Sequence, residues 1–185
     1  FRKYVFKNSL PHSIEYFKKQ SDDLWNKDVE LSRSKGESFF KNRRNAEFAG
    51  DKIYTKNQVP NMLPESWNSR ARNIVIFNSS EDEFAAIGAE WENKLFKSQL
   101  DGIRHIFDLI EKYPDSEIYL RVHPNLNSIP YKYHTDLYKL KQHPRIHVIP
   151  GSSKVSTYAM VDASSVVVSF GTSVGVEAAY AHKPV

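Results

Sequence analysis

The sequence predicts an α/β fold over residues 73–185, a doubly wound parallel sheet, preceded by a helical segment and a linker. Three observations predict it. Short continuous apolar runs recur at Asn73–Phe77, Glu117–Val122, Arg145–Ile149 and Val166–Ser169, the mark of strands buried on both faces. Helical spacings and turn residues separate these runs, and strands alternating with helices specify parallel pairing through right-handed crossovers. The closing stretch reads as strand, Gly/Ser/Thr turn and small-residue helix from Ser173, with Lys183-Pro184-Val185 opening a further strand.

The elements follow in order. Residues 1–50 read as polar helices, with Ile14, Phe17, Leu24 and Trp25 at a loose helical spacing. Phe39, Phe40 and Phe48 lie among Lys41, Arg43 and Arg44. Residues 51–72 hold Pro60, Pro64 and several Asn, and read as an extended linker. After the first strand, Ser79-Ser80-Glu81-Asp82-Glu83 is a turn rich in capping residues. Lys94–Lys112 is an amphipathic helix, its apolar positions Leu95, Leu100, Ile103, Ile106, Phe107 and Ile110 recurring mostly at three and four. Tyr133–Gln142 is a helix closed by His143-Pro144, and Val155–Asp162 a short one.

Composition narrows the function classes. The chain has 185 residues, 40% of them hydrophobic, and can bury a core. It has no cysteine, which excludes disulfides and thiolate metal sites and suits a cytoplasmic protein. No apolar run approaches the length of a transmembrane helix. Residues 1–72 carry 15 Lys and Arg against 9 Asp and Glu, whereas the remainder carries 11 against 13. That basic front suits either a solvated helical face or contact with an anionic lipid, a nucleic acid or a polyanionic glycan. No nucleic-acid module is recognisable. The chain starts at Phe1 and stops at Val185, where a strand should begin. It is therefore expected to be a piece of a longer protein, inactive alone, with part of the active site elsewhere.

Doubly wound sheets bind ligands beyond the carboxyl ends of their strands. Three turns fall on that edge: residues 78–83, 123–127 and 169–175. In the third, Ser169, Gly171, Thr172, Ser173 and Gly175 make a phosphate candidate. The first amides of a helix lack partners and carry partial positive charge, hydroxyls add donors, and the glycines let a ligand approach the backbone. An ordinary strand-to-helix connection is the alternative. The stretch lacks the Gly-Lys-Ser/Thr of a triphosphatase loop and the spaced glycines of a dinucleotide fingerprint.

In the second turn, His123 follows a strand and Pro124 stiffens it. A histidine there can donate to a phosphate oxygen or protonate a leaving group, because its pKa lies near neutrality. His143 follows a helix at the opposite edge and is assigned no role. Glu81, Asp82 and Glu83 form a carboxylate cluster, suited either to acid–base work or to an acidic helix start. Glu177, one turn into the last helix, suits either a ribose contact or the helix dipole. Tyr131, Tyr133 and Tyr138 read as core and surface of one helical segment, with stacking on a base or a sugar as the alternative. No His/Asp spacing supports a metal site.

Val75-Ile-Phe-Asn-Ser-Ser-Glu-Asp-Glu-Phe84, Leu120-Arg-Val-His-Pro-Asn125 and Val168–Val185 together resemble the bacterial capsule polysaccharide biosynthesis proteins. Those are similar to glycosyltransferases of the GT-B architecture, built from two Rossmann-like halves. The resemblance covers roughly residues 30–185. The His-Pro and Ser/Thr pieces also look like those of bacterial sialyl- and Kdo-transferases, where they hold the nucleotide of a CMP-sugar. The resemblance implies that His123, Ser169, Thr172 and Ser173 contact a nucleotide phosphate and that Glu177 faces the ribose. It places Glu81–Glu83 at an interdomain cleft. Gly171-Thr172-Ser173 stands where many retaining enzymes have an acidic residue, so their stereochemistry is not transferred.

The leading expectation is thus a metal-independent, cytoplasmic glycosyltransferase that needs no cofactor. It would move a sugar from a nucleotide-sugar donor, with a CMP-sugar favoured, to a polysaccharide or lipid-linked glycan. Peripheral contact with the inner membrane or a capsule assembly complex fits the basic front. The alternatives are a nucleotide-sugar epimerase, a glycerophosphotransferase of similar fold, and a non-catalytic sugar-nucleotide-binding scaffold.

Overall fold

The computed structural model describes residues 13–50, 52–81, 89–128, 131–140 and 142–185. Among them, four strands form one all-parallel sheet in the order β3-β2-β1-β4: β1 (Arg72–Asn78), β2 (Ser116–Arg121), β3 (Ile146–Ile149) and β4 (Val166–Phe170). The α/β class is as the sequence predicts. Successive side chains of a strand face opposite sides, and both sides are covered. Ile76, Ile118 and Leu120 pack with Ile103, Phe107 and Ile110 from α3 (Gln99–Asp108) and the single turn Leu109–Lys112 that follows it. Val75, Phe77, Tyr119 and Val167 pack on the other side with α5 (Thr157–Ala163) and α6 (Ser173–Tyr180).

The strand order positions the site. The chain steps from β1 to β2 to β3 on one side, then returns so that β4 lies on the other side of β1. The order reverses between β1 and β4, and the crevice beyond their carboxyl ends is where doubly wound sheets take ligands. Asn78 and Phe170 are opposite each other there.

Two helices are shorter than their periodicity predicts, for local reasons. The Asn93 side chain accepts from the amides of Leu95 and Phe96, and Ser98 accepts from the Asp101 amide. These side-chain caps hold the start of α3 at Gln99 and leave Leu95 outside, 86% exposed. The next helix, α4 (Lys132–Asp136), tightens into the turn Leu137–Lys139, which brings Leu137 and Leu140 into the core together.

The front of the chain forms α1 (Ile14–Lys27) and α2 (Val29–Arg44). Asp28 closes the first helix and caps the second by accepting from the Leu31 amide at 2.9 Å. Helix α2 lies against α5 and α6: Phe40 stacks on Tyr180 at 3.9 Å, and Arg44 forms two hydrogen bonds to Asp162. Residues 52–71 contain no helix or strand and run along the sheet domain. The Val59 amide donates to the Lys154 carbonyl, the Ser156 amide donates to the Met62 carbonyl, and Trp67 packs on Tyr119.

Candidate functional site

A cavity of about 190 Å³ lies at the carboxyl ends of β1, β2 and β4, where the three sequence-predicted turns meet. Asn78 and Ser79 come from the first turn, His123 and Pro124 from the second, and Gly171, Thr172 and Ser173 from the third. Asn78, 2% exposed, joins the first two, because its Oδ1 accepts from the His123 amide at 3.2 Å. Gly171 has φ 68°, a left-handed backbone that favours glycine and turns the chain from β4 into α6.

His123 is fixed in one tautomer. Its Nδ1 accepts from the Asn125 amide at 3.1 Å, so in the neutral ring the proton resides on Nε2. Tyr54 packs edge-on against the ring with centroids 4.8 Å apart. Burial, and then the charges of Arg121 and Lys52, push its pKa down to about 4. The expectation of a pKa near neutrality is therefore corrected. His123 is a neutral hydrogen-bond donor at physiological pH, a better match to binding a phosphate oxygen than to protonating a leaving group.

The residue two positions earlier supplies the charge. Arg121 ends β2 and is 2% exposed. Its guanidinium donates to the carbonyls of Pro150 and Ser153 and, among the described residues, to no carboxylate, and its Nε has no partner there. Burial lowers its pKa to about 10, which leaves it a cation. A desolvated cation without a counter-charge, lining a cavity, is a strong local attraction for an anion.

The third turn divides into structural and cavity-facing parts. Ser169 Oγ lies 3.2 Å from both the carbonyl and the hydroxyl of Thr172 and accepts weakly from its amide, so it closes the turn on itself. Thr172 is the N-cap of α6, yet its side chain makes no capping bond, which leaves the first helix amides without that partner. Gly175 serves packing: a Cβ there would lie 2.7 Å from the Ser169 Cβ. The expected approach of a ligand to that glycine is thus a helix-to-strand approach instead.

Glu177, 4% exposed, stands behind the cavity wall. One oxygen accepts from Arg43 Nε at 2.8 Å and the other from the Tyr158 hydroxyl at 2.5 Å. A ribose contact would have to share this carboxylate with both donors. Burial, and then Glu177, raise the pKa of Tyr158, which keeps the hydroxyl protonated as the donor. The same Arg43 guanidinium donates to Ser173 Oγ at 2.8 Å. Sequence reasoning did not single out Arg43, Arg121 or Tyr158. Only Arg121 left a signal, as a cation between the apolar Leu120 and Val122 at the end of a strand.

Glu81 does not line this cavity, although it shares a neighbouring groove with Ser169 and Gly171 of the third turn. Its carboxylate accepts from the Gln99 amide, the first residue of α3, so it caps that helix. It borders a separate, more open groove of about 880 Å³ that also reaches Phe96, Phe170 and Gly171. Asp82 and Glu83 lie outside the described residues. His143 sits near the amino end of β3, 3.2 Å from Glu111. Among the described residues there is no cluster of three or more potential metal ligands, and no helix is long and apolar enough to cross a membrane.

No protein-family model matches the chain, and no curated protein matches it in sequence. Among solved structures, it is similar to KpsC of Thermosulfurimonas dismutans, a β-Kdo 2,4-transferase, with 17% sequence identity and a TM-score of 0.47. The match covers 80% of this chain but 41% of that one, so the chain spans less than half the length of the structure it matches.

Proposed function

We propose that this chain carries the donor-binding half of a glycosyltransferase, with the nucleotide phosphate of an activated sugar held in the switch-point cavity. The observation that carries the reading is Arg121, a buried cation with an unpartnered Nε and, among the described residues, no carboxylate beside it, lining that cavity. The cavity is smaller than the roughly 300–1,000 Å³ typical of whole-ligand pockets. It encloses the phosphate end, while base and sugar extend outward.

In transfer, the bond between the sugar anomeric carbon and the nucleotide phosphate breaks, and the phosphate leaves as an anion. Arg121, the first amides of α6, the Ser173 hydroxyl and the His123 Nε2–H are donors suited to that developing charge. Donors fixed in advance accelerate such a step when they bind the leaving anion more strongly than the ground state. This chemistry asks for no metal. The sequence resemblance to sialyl- and Kdo-transferases favours a CMP-sugar donor, and that to capsule biosynthesis proteins a polysaccharide or lipid-linked glycan acceptor.

No carboxylate lines the cavity among the described residues. That favours a base for the acceptor hydroxyl supplied from outside this cavity. It equally supports a second reading, a sugar-nucleotide-binding scaffold without catalysis. Thermal-shift titration with CMP, UDP and GDP tests the shared premise: at least one should raise Tm, and no stabilisation of the folded chain by any of them would overturn both readings. Stabilisation without transfer or donor hydrolysis, in the longest form of the protein that expresses, would decide for the scaffold.

A further inference from the structure

We infer that helix α2 is a wall of the same anion site, with Arg43 a cation at the ligand and Glu177 and Tyr158 the residues that position it. This rests on the donor-phosphate reading above.

Arg43 is near the carboxyl end of α2, 130 residues before Ser173, yet both line the cavity with Arg121. Glu177 does not line it; it stands behind Arg43 and holds the guanidinium by its Nε edge. Tyr158 donates to the other carboxylate oxygen, so the acid is fixed from two sides. The orientation is thereby set before any ligand arrives.

The arrangement also acts on Ser173. One lone pair of its Oγ accepts from Arg43, which leaves the hydroxyl proton to be donated elsewhere. The cavity wall at that point offers a donating hydroxyl backed by a cation, beside the amide end of α6. Among the described residues that line the cavity, Arg43 and Arg121 are cations and no side chain is a carboxylate, and Lys52 is close enough to act on His123. That cationic lining suits a phosphoryl group.

A docking role alone does not account for the ion pair. Its side chains are 13% and 4% exposed, and desolvating two charges offsets most of what their attraction contributes. Helix α2 already has the Phe40–Tyr180 stack and the two-bonded Arg44–Asp162 pair to hold it. Arg44 provides the internal control, being a neighbouring cation on the same helix that does not line the cavity.

The test is calorimetric titration of CMP, UDP and GDP into the wild type and into Arg43→Ala, Arg43→Lys, Arg44→Ala and Glu177→Gln, at low and high salt. For the nucleotide that the wild type binds, Arg43→Ala should lose about 10-fold or more in affinity. Its remaining binding should depend less on salt. Glu177→Gln and Arg43→Lys, which keep bulk but lose the fixed fork, should fall between it and the wild type. Arg44→Ala should stay within about 2-fold although it loosens the same helix. Undiminished binding by Arg43→Ala, or equal losses in Arg43→Ala and Arg44→Ala, would refute this inference and leave the donor reading intact. Failure of the wild type to bind any of the three would remove the donor reading itself. Should Arg43→Ala not fold, Arg43→Lys carries the comparison, and wild-type affinity in that variant overturns the inference.

Discussion

Gly175 of α6 approaches Ser169 of β4 so closely that an added Cβ would sit 2.7 Å from the serine Cβ and 2.8 Å from its Oγ. This contact sets the distance between the last helix and the sheet, and therefore where the first amides of α6 point. In Gly175→Ala, the gain in helix propensity of about 1 kcal/mol opposes an overpacking cost of about 1–3 kcal/mol. The clash meets a strand side chain that is itself hydrogen-bonded in the turn, so it should prevail. Denaturant unfolding should show net destabilisation, accompanied by weaker nucleotide binding. A variant as stable as the wild type would mean that α6 can slide on the sheet.

His123 offers a pH test with a definite sign. Its folded pKa of about 4 lies below the ordinary value of 6.5. The unfolded chain therefore binds the proton more readily in that interval. The stabilising contribution of the neutral ring is complete above about pH 6.5 and is lost as pH falls through about 4. The loss is at most on the order of 3 kcal/mol. NMR titration of the ring nitrogens should find a neutral Nε2–H tautomer persisting well below pH 6.5. His123→Ala should weaken nucleotide binding, while His143→Ala, near the amino end of β3, should leave it unchanged. A ring that titrates at its ordinary value would restore the general-acid role.

How far the sequence could be read follows from the range of the interactions. The strands were legible because each is a compact apolar run, and the turn after Ser169 because its glycine, hydroxyls and helix start are contiguous. The start of α3 was not, because periodicity continues through Leu95 while the Asn93 and Ser98 side chains decide where the helix begins. Glu81 could be read either as an acid–base group or as the start of a helix following its own Ser cap; its bond to the Gln99 amide, 18 residues away, is a third role that nothing local to it announces. Arg43 was illegible as a site residue, since nothing local to α2 points to a partner on α6.

Arg121 separates function from stability. It contributes hydrogen bonds to two carbonyls, but its desolvation, with no counter-charge among the described residues, opposes them. In Arg121→Met the two effects should nearly cancel, leaving ligand-free stability within about 1 kcal/mol of the wild type. The nucleotide-dependent rise in Tm should vanish. A large drop in ligand-free stability with the rise retained would make Arg121 a structural clamp for the loop after β3 and remove the observation on which the donor reading stands.

Glu117 tests how residues 52–71 are attached. Its carboxylate gathers Asn68 Nδ2 at 2.6 Å, the Tyr119 hydroxyl at 2.8 Å and His147 Nε2 at 2.9 Å. The Tyr119 hydroxyl also accepts from the Asn68 amide, and its ring stacks on His147 and packs on Trp67. Burial alone would raise the Glu117 pKa, but the hydrogen bonds from Asn68, Tyr119 and His147 outweigh it and hold it below the ordinary carboxylate value. A lowered folded pKa stabilises the protein above the ordinary value, and the contribution is lost as pH falls through the folded one. Glu117→Gln should therefore cost about 1–3 kcal/mol near neutral pH. Its deficit against the wild type should shrink in acid, where the wild-type carboxylate is itself protonated. Because Gln58 of the same segment donates to Thr157 and accepts from its amide beside the cavity, limited proteolysis of Glu117→Gln should show faster cleavage within residues 52–71. A deficit that does not change with pH would mean that the glutamate acts through its shape and not through its charge.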